Sequence, residues 1–141
     1  ENGGEGKQGL LDGVPKALPA LLQADEIIER VERVAFDQLA QLSDPTRIKA
    51  LIDQFAQAED SQKPGLLGEL LLSIASLAHE VGIDPESALR QSLNQFRERF
   101  GEMEALALAS GSALVTLDKK DIARLWLKTI SAKDEESGRT Q

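Results

Sequence analysis

The side chains of this sequence best suited to bind a metal ion are carboxylates on segments with helical periodicity. Two acidic residues three or four positions apart lie on one face of a helix, and a second pair on a neighbouring helix can complete a magnesium site. The ion in such a site neutralises phosphate groups and activates water. Within two consecutive predicted helices, Asp53 and Glu69 are the centrally placed acids. They are the candidate metal ligands, although each helix supplies only half of the acids that this kind of site requires.

Other catalytic chemistries find little support in the residues. The single histidine, His79, has no second histidine with which to share a metal, and a catalytic base needs an orienting partner. We therefore expect a surface or packing role for His79. The chain contains no phosphate-binding loop of the GxxxxGK or GxGxxG type, and it lacks cysteine, which excludes disulfides and thiolate metal sites. The catalytic residues of any reaction stay unknown at this stage.

Composition and charge narrow the class of protein. The 141 residues are enough for one domain, and the formal net charge of −8 does not favour binding to a nucleic-acid backbone. No run of eighteen apolar residues is present, so we expect no membrane-spanning helix and no membrane partner. The first residues lack the charged-then-apolar pattern of a signal peptide. A cytoplasmic location is the resulting expectation.

The elements that would position the acids are helices. Apolar residues recur every three or four positions, which predicts an all-α fold with about five helices. Asp44-Pro45, Asp84-Pro85 and Asp118 are typical helix starts, and Gly82 is typical of a helix end. The predicted helices cover about residues 20–35 (with a start as early as residue 17), 45–58, 63–81, 86–108 and 119–131.

The segments between and around these helices complete the predicted organisation. Residues 1–9 are predicted to be a flexible N-terminal segment, residues 10–131 one helical domain, and residues 132–141 a disordered charged tail. Residues 36–42 form a connection of undetermined state, and residues 113–117 a short extended piece. The helical hairpin of residues 66–100 cannot bury both of its apolar stripes by itself, so further packing is expected.

Three segments carry a resemblance to a known family. LLDGVPKALPALLQADEIIERVERVAFD, GELLLSIASLAHEVGIDPESALRQSLNQFRERFGEME and a closing segment with Leu117-Asp118 and Trp126 are similar, in order and spacing, to the MazG family of nucleoside triphosphate pyrophosphohydrolases. The resemblance covers about residues 10–128. It implies an all-α helical bundle completed by dimerisation, with homodimers expected and higher oligomers open. It also implies magnesium-dependent hydrolysis of nucleoside triphosphates to monophosphate and pyrophosphate, with the metal held by EExxE followed by ExxD.

The sequence departs from that pattern at the positions that would bind the metal. Of the five acidic positions, only one keeps an acid, Glu69. The other four are occupied by residues that are apolar or carry an amide: Ala50, Leu51, Gln54 and Leu66. Positions that the resemblance assigns to an asparagine and an arginine of the family hold Ser76 and His79. Arg99 keeps one family arginine, which makes it the candidate nucleotide-binding residue.

The leading functional hypothesis is therefore a degenerate MazG-like domain with little or no catalysis, acting as an oligomerisation or regulatory module beside an active domain elsewhere. The alternative is an active enzyme with a shifted magnesium site, in which at least two of four acids converge within about 5 Å: Asp53, Glu59, Asp60 and Glu69. A third reading is nucleotide binding without hydrolysis, which requires Arg99 or Lys49 to face a pocket. Magnesium is expected only if the domain is active.

Overall fold

Helices dominate the computed structural model, which describes residues 9–139. No strand occurs within that range. The helices are α1 (Ala20–Val31), α2 (Leu39–Leu42), α3 (Pro45–Gln57), α4 (Lys63–Glu80), α5 (Pro85–Ala109) and α6 (Lys119–Arg139), with a 3₁₀ turn at Leu114–Thr116. The predicted all-α class is confirmed. The described residues contain six helices instead of about five because α2 forms in the connection that the sequence left undetermined.

The predicted helix boundaries at the capping residues are confirmed. Asp44 accepts a 3.0 Å hydrogen bond from the backbone N–H of Thr46, and Pro45 follows it at the start of α3. Asp118 accepts a 2.9 Å bond from the N–H of Asp121 at the start of α6. Gly82 has a φ of 75°, the left-handed conformation that ends α4. Short-range chemistry therefore sets the ends of these helices.

Three segments differ from the sequence prediction. Helix α1 ends at Val31 instead of residue 35, since the chain turns there through an N–H···O=C bond from Val34 to Val31. Residues 114–116 form the 3₁₀ turn where an extended piece was predicted. Helix α6 continues to Arg139, beyond the end predicted at about residue 131, through residues of which alanine, lysine and glutamate favour a helix. The disorder predicted for residues 132–141 stays a prediction. Residues 140 and 141, and the predicted flexible segment up to residue 8, lie outside the described residues.

The described chain falls into two compact units, the first ending at Ala88 and the second beginning at Leu89. In the first unit, α4 is the central element, because it contacts α1, α2 and α3. Its buried face consists of small residues, Ser73, Ala75 and Ser76, which let the neighbouring helices approach closely. The core opposite this face contains Ile28, Ile48 and Leu51. The prediction of one domain over residues 10–131 stays a prediction.

In the second unit, side chains of α5 and α6 meet around Trp126. The ring of Phe96 lies 5.7 Å from that of Trp126 and 6.3 Å from that of Phe100, measured between centroids. Met103 and Thr129 are buried. No single helix in residues 9–139 is long and apolar enough to cross a membrane; two consecutive helices, α4 and α5, reach that length and composition only when taken together.

Candidate functional site

A cleft of about 700 Å³ lies between the end of α3 and the first half of α4. The Ala58–Gln62 connection forms part of its wall, together with the polar ends of both helices. The residues that line it are Gln54, Gln57, Ala58, Ser61, Gln62, Gly65, Leu66 and Glu69. Three of the five positions that the resemblance assigns to metal ligands, Gln54, Leu66 and Glu69, therefore meet in one cleft. Apart from Glu69, the residues that line the cleft are uncharged.

The lone carboxylate of this cleft faces a cation of its own chain. Oε2 of Glu69 lies 3.8 Å from Nη2 of Arg47 on α3, and the same guanidinium donates a hydrogen bond through Nη1 to the buried Ser73 hydroxyl. The Glu69 side chain is 58% exposed, so water screens this ion pair. The contact nevertheless places a positive charge beside the one carboxylate that lines this cleft.

Of the two remaining aligned positions, Leu51 is buried in the core and Ala50 is exposed. Leu51 is 5% exposed and belongs to the core of the first unit, whereas its neighbour Ala50 is exposed on α3. A leucine at a core position stabilises the fold by burying apolar surface and offers no oxygen to a cation. Leu51 thus lies in the hydrophobic core of the first unit.

The other candidate acids do not gather at the cleft. Asp53 and Glu59 are exposed and do not line it, and Asp60 pairs with Lys63 at 3.4 Å. Among the described residues, no three histidine, cysteine, aspartate or glutamate side chains are placed to hold a metal ion together. The proposed metal-ligand roles of Glu69 and Asp53 stay predictions, and magnesium is the ion that their oxygen chemistry would suit.

Arg99, the candidate nucleotide-binding residue, is engaged within the second unit. Its Nε donates a 2.8 Å hydrogen bond to the buried Thr129 hydroxyl, and its Nη2 donates a 3.1 Å bond to the carbonyl of Trp126. The guanidinium carbon lies 3.4 Å from the centroid of the Trp126 ring, a cation–π contact. This arrangement joins α5 to α6. The nucleotide-binding role of Arg99 stays a prediction.

Replacement of Arg99 tests the structural part of that arrangement. Lysine keeps the charge but loses the planar stack and the forked donors, so Arg99→Lys is expected to lower the free energy of unfolding by about 1–2 kcal/mol. Arg97→Lys, at an exposed position on the same helix, is the matched control and should change it by less than about 0.5 kcal/mol. Urea denaturation followed by circular dichroism measures both. Equal effects of the two variants would contradict the role of Arg99 in joining α5 to α6.

A second polar cluster was not predicted from the sequence. Nδ1 of His79 lies 2.9 Å from Oδ1 of Asp25, and Nε2 lies 3.0 Å from Oε2 of Glu32. The hydrogen bond with Glu32, and to a smaller extent that with Asp25, raises the pKa of His79 above its ordinary value of 6.5. Burial acts in the opposite direction and lowers the pKa. His79 thus has two orienting partners, Asp25 on α1 and Glu32 directly after the last residue of α1. They are distant in sequence, and no local spacing could have indicated them.

Known proteins resemble the chain over most of its length. The nucleoside triphosphate pyrophosphohydrolase/pyrophosphatase MazG of Thermotoga maritima is 31% identical over 126 residues, which are 89% of this chain and 49% of that protein. The nucleoside triphosphate pyrophosphohydrolase of Escherichia coli K12 is 28% identical over 122 residues, 82% of this chain and 46% of that protein. The uncharacterized protein YabN of Bacillus subtilis is 29% identical over 123 residues, 83% of this chain and 25% of that protein.

The chain spans about half the length of the first two relatives. No protein-family model matches it. The similarity nevertheless extends through both units, and all of the described regular structure is helical, as the resemblance implied. Similarity over most of the chain and the all-α fold together support a MazG-like domain.

Proposed function

We propose that this MazG-like domain is degenerate, with little or no hydrolysis of nucleoside triphosphates, and that it acts as an oligomerisation or regulatory module. The observation that carries the proposal is the lining of the α3–α4 cleft, where Glu69 is the single carboxylate and lies next to Arg47. A magnesium ion bound to nucleotide phosphates needs one or two carboxylates in suitable geometry. One screened carboxylate with an arginine beside it provides a poor site.

The exposed face of α4 supports the oligomerisation part of the proposal. Leu67, Leu71 and Ile74 lie about one turn apart and are 43–49% exposed. The opposite, small-residue face of the same helix packs inside the first unit. An exposed apolar stripe on a helix is typical of a surface that associates with another protein chain. The proposed occupant is a second copy of this chain, which would form a homodimer.

The alternative function is active magnesium-dependent hydrolysis through a shifted site. Glu69 with Asp53, Glu59 or Asp60 would have to converge around one ion, which requires α3 and the Ala58–Gln62 connection to move toward α4. Nucleotide binding without hydrolysis is the third possibility. Lys49 is exposed on α3 and does not line the cleft, so a cationic phosphate contact would require rearrangement there as well.

The proposed dimer can be tested by a substitution in the exposed apolar stripe of α4, which consists of Leu67, Leu71 and Ile74. The purified chain is expected to have twice its monomer mass by light scattering after size-exclusion chromatography. Leu71→Glu places a charge in the stripe and should convert it to a monomer, because an unpaired carboxylate in an apolar interface is costly to desolvate. Val115→Glu, at a 94% exposed position outside α4, is the control and should stay dimeric. A monomeric wild-type chain at tens of micromolar would contradict the dimer.

A further inference from the structure

The His79 cluster joins two helices of the first unit through a single side chain. Asp25 lies on α1, and Glu32 directly follows the last residue of that helix in a helical backbone conformation. The two residues are two turns apart, so they share one face, and both bond the imidazole of His79 on α4. The His79 side chain is 19% exposed, against 34% for Asp25 and 47% for Glu32. One partly buried imidazole therefore holds the middle of α1 and the residue after its C-terminal end against α4.

This arrangement depends on the charge of the imidazole. A protonated imidazole has two N–H groups and can donate to both carboxylates at once. A neutral imidazole has one N–H, and its other nitrogen then faces a carboxylate oxygen, lone pair against lone pair. Only one of the two contacts to α1 can survive deprotonation.

The surroundings of His79 favour the charged form and leave room for movement. The charged groups that face it are acidic: Asp25 from α1, Glu32 directly after α1, and Glu80 from α4, which lines the same cavity of about 210 Å³. Helix α2 brings no titratable side chain, and Arg47 of α3 is engaged with Ser73 and Glu69. The cavity reaches from the buried Ile28 of α1 to α2 and α4, so α1 has space beside it.

We propose that His79 is a pH-sensitive latch, which in its protonated form holds α1 against α4 and on deprotonation releases one end of α1. The inference is independent of hydrolysis or dimer formation. The pKa of His79 is higher in the folded chain than in the unfolded chain. The stabilising contribution of the latch is therefore complete below about pH 6.5, the ordinary value for histidine, and is lost as the pH rises through the folded-state pKa.

The latch can be tested in the intact chain because His79 is its single histidine. One imidazole signal in an NMR titration gives the pKa directly. Amide hydrogen exchange, divided by the intrinsic rate at each pH, gives protection factors for α1 and, as an internal control, for α3. We expect α1 protection to fall about three- to tenfold, the effect of one hydrogen bond, with its midpoint at the pKa of His79 and with no parallel change in α3.

Two substitutions separate charge from packing. His79→Arg keeps a cation with several donors at every pH and should give high, pH-independent protection of α1. His79→Gln is neutral and should give low, pH-independent protection. Constant α1 protection in the wild-type chain through the titration, a pKa at or below 6.5, or the same pH-dependent loss in His79→Arg would each overturn the latch. The wild-type titration is decisive by itself if either variant fails to fold.

Discussion

Leu51→Glu is expected to destabilise the fold by about 4 kcal/mol or more, or to prevent folding, because it removes a buried leucine and places a carboxylate in the core. The substitution restores an acid at a position where the resemblance implies a metal ligand. Leu51 is only 5% exposed and belongs to the buried core of the first unit. A loss of this size approaches the whole stability of an ordinary domain.

Gln54→Glu is the matched control for Leu51→Glu. It restores the next acidic position, three residues further along α3, but at an exposed side chain that lines the cleft. Its free energy of unfolding should stay within about 0.5 kcal/mol of the wild-type value. Urea denaturation followed by circular dichroism compares the two. If Leu51→Glu were tolerated as well as Gln54→Glu, position 51 would be open to solvent and available to a metal, against its placement in the core.

The double variant Gln54→Glu/Leu66→Glu is expected to create a divalent-cation site. Both positions line the α3–α4 cleft with Glu69, so the variant brings three carboxylates to one cavity. More anionic oxygen ligands raise the affinity for a hard cation, and we expect manganese to bind at least about tenfold more tightly than to the wild-type chain. Without metal the three like charges repel one another, so the variant should melt at a lower temperature than the wild-type chain. Its melting temperature should rise as manganese is added.

Isothermal titration calorimetry and thermal unfolding at increasing manganese concentration measure this effect. The control is Gln91→Glu/Leu108→Glu, which makes the same chemical changes at two exposed positions on α5. That control should show no gain in affinity. Equal affinity of the double variant and its control would mean that Gln54, Leu66 and Glu69 do not converge, and would remove the basis for regarding the cleft as a former metal site.

The sequence predicts best what short-range chemistry decides. Helix starts at Asp44 and Asp118 and the end at Gly82 follow from one side chain or one backbone angle each, and these boundaries are confirmed. The connection at residues 36–42 and the end of α6 depend on weak preferences spread over several residues. They were left undetermined or were wrong for that reason.

The polar contacts of the candidate site were harder to predict, because they join residues distant in sequence. His79 contacts Asp25 only after α1 packs on α4. Arg47 contacts Ser73 and Glu69 only after α3 packs on α4. Periodicity assigns residues to the faces of one helix but does not choose the partner of each face. For α4, the small-residue face packs inside the unit and the leucine face is exposed.

Pyrophosphate release from a panel of nucleoside triphosphates, with magnesium or manganese, is the most direct test of the proposed loss of catalysis. The purified chain and its Glu69→Ala variant are compared with buffer alone, after both proteins are shown to be folded. We expect the two proteins to release pyrophosphate no faster than the buffer, since the cleft offers a single carboxylate beside Arg47. Release by the wild-type chain that disappears in Glu69→Ala would contradict a degenerate site and would establish a working metal centre at Glu69.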